Sequence, residues 1–245
     1  GVAIAGDDFI VPNLDGQLLR IQPSGAVSIL VDLYKAELGI PFGIVENQGS
    51  FVVTASDYLP RHFLVRVNLD GTYQEIADLA NTSGFYGAPF GVAVEGKDYI
   101  VTVSTDVVSS SSLLIRVTGT GKITQIAELS RFGIPFGVVL GDRGYVVTQE
   151  KGQLLHVTPA GKISLLVDLA QAGYGMPLGI TRDKTNFVVT TNRGLVIQVT
   201  PEGTVSHLVD LTQEKLGIPS GIRVHQDQWI VTTNSGYLLA IKKAG

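Results

Sequence analysis

The chain has 245 residues, a net charge of −4, 16% Asp, Glu, Lys and Arg, and no cysteine. A weakly acidic chain without runs of either sign carries no electrostatic footprint for nucleic acid, and the lack of thiols excludes disulfides and cysteine-ligated metals. Its longest apolar runs fall far short of the roughly 20 residues that a membrane helix needs, and no signal-type segment is present.

Six times a glycine followed by an aliphatic residue opens the same pattern, at Gly1, Gly43, Gly91, Gly137, Gly179 and Gly221. A period in the forties with four strand-like runs per unit predicts an all-β chain: a six-bladed β-propeller with four-stranded antiparallel blades, forming one domain over residues 1–245. Within a unit the first run is built of small residues, as in Gly91-Val92-Ala93-Val94, which suits crowding near an axis. The second is continuously apolar and ends in Thr: Phe51-Val52-Val53-Thr54 recurs as Tyr99-Ile100-Val101-Thr102, Tyr145-Val146-Val147-Thr148, Phe187-Val188-Val189-Thr190 and Trp229-Ile230-Val231-Thr232. Such runs are read as strands covered on both faces. The third, such as Leu64-Val65-Arg66-Val67, admits polar side chains, and the fourth, such as Ser164-Leu165-Leu166-Val167, alternates as a rim strand does. Glycine-bearing turns, among them Pro23-Ser24-Gly25 and Pro201-Glu202-Gly203, join the third strand to the fourth. An acid follows each complete fourth strand, at Asp32, Asp78, Glu128, Asp168 and Asp210, and is read as a cap of the next loop, which ends in Gly-x-Pro-x-Gly.

The units differ chiefly in their loops. Residues 55–62 and 103–112 lengthen the connection between second and third strands in the second and third units, and residues 81–86 lengthen the loop joining those units. Loops that depart from a repeat carry function more often than loops that obey it. They nominate a binding patch of Tyr58, Arg61, His62, Phe85, Tyr86 and Asp106. The sixth unit stops after its third strand and so lacks an outer strand within this chain. Its edge at residues 238–241 is expected to stay three-stranded, with Lys242 and Lys243 blunting it, or to pair with another chain. A strand preceding Gly1 in a longer parent is the further expectation.

The repeated Pro-x-Gly-Ile/Val, aromatic-Val-Val-Thr strand and glycine turn resemble the NHL-repeat type of propeller and its six-bladed relatives, the gluconolactonase-like proteins and the virginiamycin B lyase group. The resemblance spans the whole chain and implies ligand or protein binding on the face that carries the fourth-to-first and second-to-third loops. In the gluconolactonase-like enzymes a residue between Pro and Gly is a metal-binding Asn, and in the lyase group it is a catalytic His. This chain has Phe42, Phe90, Phe136, Leu178 and Ser220 there, none of which offers a metal carboxylate or a proton-transferring imidazole. The three Phe are candidates for an apolar collar at the mouth. No catalytic residue, metal ligand or cofactor is assigned. His62, His156, His207 and His225 lie in different parts of their units; Glu46 and Glu95 occupy equivalent positions at the ends of first strands, with Asp142 and Asp183 close to the corresponding position, and these acids are candidates to hold Ca²⁺.

The preferred reading is a non-catalytic scaffold for a small molecule or a protein, in an extracellular or periplasmic setting. The alternative is a metal-dependent lactonase-like hydrolase or a lyase that uses acidic residues near the channel.

Overall fold

Apolar runs without in-out alternation need cover on both faces. The computed structural model describes residues 1–57, 61–80, 87–104 and 111–243. Among them six antiparallel sheets form, five of four strands and one of three, in a six-bladed β-propeller. The chain divides into two compact units, Val2–Ser130 and Arg131–Gly245 with Gly1.

The first unit holds three blades. They are β1 (Ala3–Ala5) to β4 (Val27–Asp32), with β2 at Asp8–Pro12 and β3 at Gln17–Ile21; β5 (Ile40–Asn47), β6 (Ser50–Ser56), β7 (His62–Asn68) and β8 (Tyr73–Asp78); and β9 (Ala88–Glu95), β10 (Asp98–Ser104), β11 (Ser112–Val117) and β12 (Ile123–Glu128). The second unit holds the other three. They are β13 (Pro135–Gly141), β14 (Gly144–Gln149), β15 (Gln153–Val157) and β16 (Ile163–Asp168); β17 (Pro177–Asp183), β18 (Asn186–Thr191), β19 (Leu195–Val199) and β20 (Val205–Asp210); and β21 (Pro219–His225), β22 (Gln228–Thr233) and β23 (Leu238–Lys242).

Successive residues of each second strand serve opposite neighbours, because side chains alternate across a strand. Phe51 and Val53 pack with Ile10 and Leu18 of the blade before, while Val52 packs with Tyr99 and Val101 of the blade after. Likewise Phe187 and Val189 join Val139 and Val146, and Val188 joins Trp229 and Val231. A run apolar at every position is therefore two half-strands, each completing a different core.

The terminal Thr of that run ties blades together. The Gly43 amide donates to Thr54 Oγ1 at 2.8 Å, and Thr54 Oγ1 donates to the Phe90 carbonyl of the next blade at 2.8 Å. Gly137, Thr148 and Leu178 repeat the arrangement, as do Gly179, Thr190 and Ser220. The repeated glycine is required by this approach rather than by its own dihedrals. A Cβ on Gly43 would lie 2.2 Å from the Phe90 carbonyl oxygen, and one on Gly179 would lie 2.3 Å from that of Ser220. The hairpin glycine Gly203 meets two demands at once: it has φ +88°, and its absent Cβ makes room for the Leu166 carbonyl of the preceding blade.

First strands begin earlier than the glycine pattern suggests, because Pro-x-Gly lies inside the strand. Pro41 pairs with Ala55, but Ile44 pairs with Val53, so Phe42 and Gly43 hold one extra residue in a β-bulge; the same register shift follows Pro89, Pro135, Pro177 and Pro219. A bulge takes a side chain out of the strand's alternation and re-aims it.

The recurring acids cap the loops as expected. Asp32 accepts from the Lys35 amide, Asp168 from Gln171, Asp210 from Thr212, Asp78 from Ala80 and Glu128 from Ser130. These bonds favour the charged form: the Lys35 amide holds the Asp32 carboxyl, and Thr212 the Asp210 carboxyl, below the ordinary range.

Candidate functional site

Within the unit Val2–Ser130 the bulges of the second and third blades bring two of the residues between Pro and Gly into contact. The rings of Phe42 and Phe90 lie 5.7 Å apart, centroid to centroid, at 54°, and both are half-buried. A tilted pair at this distance contributes about 0.5–1.5 kcal/mol beyond its buried area. Phe136 is also half-buried, but it belongs to the other unit, where the half-buried Leu178 and the exposed Ser220 hold the same position of the repeat.

Outward from Phe42 the ends of four strands form a row. Ser56 pairs with Ile40, His62 with Ser56, and Asp78 with Phe63. At ordinary strand spacing this sets His62 about 10 Å from the inner strand. Ser56 Oγ lies 2.8 Å from His62 Nδ1. Burial lowers the His62 pKa, and the nearby Asp78 carboxylate opposes that shift without cancelling it. The imidazole is therefore neutral at pH 7. Register brings Ser56, His62 and Asp78 to one end of the blade, since the three occupy three adjacent strands.

Arg61, the next residue outward, pairs with Asp57 at 3.0 Å and Glu37 at 3.7 Å. Its Nε is buried and has no partner among the described residues. Of the loop candidates, Arg61 and His62 thus sit together on one blade end, while Tyr58, Phe85, Tyr86 and Asp106 lie outside the described residues.

The four acids proposed for Ca²⁺ are engaged separately. Glu46 caps its own turn through the Gly49 amide, Glu95 pairs with Arg116, Asp142 with Arg182, and Asp183 with Lys243 and Trp229 Nε1. Burial alone would raise the Asp183 pKa, but the bonds from Lys243 and Trp229 outweigh it and hold the carboxyl low. Glu46 and Glu95 are also not equivalent. Glu46 pairs with Phe51, whereas Glu95 lies one residue beyond Val94, the partner of Tyr99, so the two point to opposite faces of their sheets. Among the described residues no three His, Cys, Asp or Glu side chains come together in a way that could hold a metal ion.

Neither a protein-family model nor a curated protein sequence matches the chain. Solved structures do match it in fold. A streptogramin B lyase aligns with 14% identity and a TM-score of 0.69 over 100% of this chain and 83% of its own. The virginiamycin B lyase from Staphylococcus aureus aligns with 15% identity and a TM-score of 0.67 over 99% and 83%. A protein of unknown function from Bacteroides thetaiotaomicron aligns with 14% identity and a TM-score of 0.72 over 97% and 67%. At these identities the likeness is one of fold, and it agrees with the six-bladed propeller that the repeats predict.

Proposed function

We propose that the chain is a non-catalytic binding propeller that receives an apolar or aromatic group, from a small molecule or a partner protein, at Phe42 and Phe90. Arg61, Asp57 and His62 supply polar contacts farther out. The observation that carries this reading is the Phe42–Phe90 pair, half-exposed at bulges that take both rings out of the strand alternation. Apolar surfaces with a few convergent polar groups are what small-ligand and hot-spot sites use. The variant loops at residues 55–62, 81–86 and 103–112 belong to the same two units, and Tyr58, Phe85, Tyr86 and Asp106 complete the patch in this reading.

The test is a thermal-shift and calorimetric screen of aromatic small molecules and peptides. It is followed by titration of any ligand against F42A, F90A, R61A and Y86A. Binding weakened at least about tenfold by F42A or F90A supports the site. Unchanged affinity in all four variants removes it.

The lyases among the fold neighbours and the Ser56–His62 hydrogen bond favour a second reading, in which a neutral imidazole acts as a base on this face. Turnover of a lactone or ester panel that S56A and H62Q both abolish, with folding intact, would replace the binding reading with that one.

A further inference from the structure

The three blades of the unit Val2–Ser130 carry an arginine at one register position, and two of them answer it with a carboxylate. Arg20 pairs with Ile10 and Arg116 with Ile100, as Arg66 pairs with Val52. Asp8 lies 2.6 Å from Arg20, and Glu95 and Asp98 lie 2.5 and 3.5 Å from Arg116. Glu95 and Asp98 are partners across the turn between first and second strands, and in the second blade Asn47 and Ser50 hold those two places. Ser50 also stands where the first blade has Asp8, the partner of Ala5. Neutral groups thus replace both acids around Arg66.

Among the described residues Arg66 has no carboxylate partner. Its Nη2 donates to the Tyr99 hydroxyl at 2.5 Å, which also accepts from Asn47 Nδ2 at 3.2 Å. Ser50 spends its own hydroxyl on the Asn47 carbonyl at 2.8 Å. The neighbouring acid, Glu46, lies on the opposite face of the sheet and accepts from the Gly49 amide. A guanidinium has two edges of paired N–H groups, each able to meet a carboxylate with two bonds. Tyr99 takes one Nη2 proton, so it blocks one edge and orients the other. Arg66 is half-buried, and its remaining N–H groups are open to solvent. Packing does not demand an arginine at this position, since His156, Gln198 and Ala240 hold it in the other unit.

We propose that Arg66, oriented by Tyr99 and Asn47, is a second ligand site, which receives the carboxylate of an organic acid where the neighbouring blades supply their own Asp or Glu. It lies at the other end of β5 from Phe42, roughly 16 Å away at ordinary strand rise, and does not depend on the aromatic site.

The probe is acetate, titrated into the isotope-labelled chain against chloride at equal ionic strength. The readout is the Nε–H resonance of Arg66, assigned by its loss in R66K. A saturable shift with acetate is expected, with none from chloride and none at Arg20 or Arg116, whose carboxylates are built in. Ser50→Asp supplies the acid of the first and third blades. It should move the Arg66 resonance to its acetate-bound position with no acetate present, and weaken acetate binding at least about tenfold. Asn47→Glu brings the acid from the facing strand and serves the same purpose if Ser50→Asp does not fold. Three results would overturn the proposal: an Arg66 shift that fails to saturate or that chloride reproduces, acetate binding unchanged in both acidic variants, or inorganic phosphate bound as tightly as acetate.

Discussion

Replacing Gly43 by Ala tests the blade lock directly. The new methyl would lie 2.2 Å from the Phe90 carbonyl oxygen and 3.0 Å from Thr54 Oγ1, so the two blades must separate or the bulge must deform. Overpacking of this kind costs about 1–3 kcal/mol. Movement sufficient to relieve it breaks the bonds at 2.8 Å that run from Gly43 through Thr54 to Phe90, each worth about 1 kcal/mol. The sum is about 3–5 kcal/mol, which in a chain of this size lowers Tm by roughly 6–20 °C. Thr54→Val keeps the shape and removes only the hydroxyl, and should cost about 2 kcal/mol by leaving a buried N–H and C=O unpaired. Gly49→Ala is the control, since Gly49 has φ +78° but open space around it, and only the backbone penalty of about 1–2 kcal/mol applies. Urea and thermal unfolding of the three variants would rank them. A Gly43→Ala loss no larger than that of Gly49→Ala would refute close blade approach as the reason for the repeated glycine.

Tyr99→Phe removes an acceptor used by Asn47 Nδ2 at 3.2 Å and Arg66 Nη2 at 2.5 Å, and should cost about 1–3 kcal/mol in urea unfolding with no change in fold. Asp168→Ala loses the bonds from the Gln171 amide and Gln153 Nε2, for about 1 kcal/mol in the same assay. Because the His62 pKa is lowered in the folded chain, the unfolded chain binds a proton first as pH falls through the ordinary value of 6.5. Stability should therefore decline from 6.5 down to the lowered folded value and lose nothing further through this group below it, and H62Q should flatten that segment of the unfolding-midpoint curve. An identical pH slope in H62Q would show that the ring is not desolvated.

Much of the fold was legible because its causes are local or repeated. Runs such as Phe51-Val52-Val53-Thr54 must be covered on both faces wherever they lie, turn glycines such as Gly203 announce a positive φ, and acids such as Asp168 cap the chain two or three residues on. Repetition of these signals at a period in the forties determined the propeller and the missing strand of the last blade. The candidate site was less legible. Phe42 and Phe90 could be named as mouth residues, but their contact depends on bulges that no hydrophobic pattern encodes. Glu46 and Glu95 read as equivalent ends of first strands, yet Glu46 lies three residues after Gly43 and Glu95 four after Gly91, which puts them on opposite faces. Ser56 and His62 met through strand pairing rather than spacing. The purpose of the repeated glycine was likewise invisible along the chain, because the atom that excludes a side chain belongs to the neighbouring blade. Patterns along a sequence report what a residue needs from its own strand; which atom of another strand answers that need is decided only when the sheets pack.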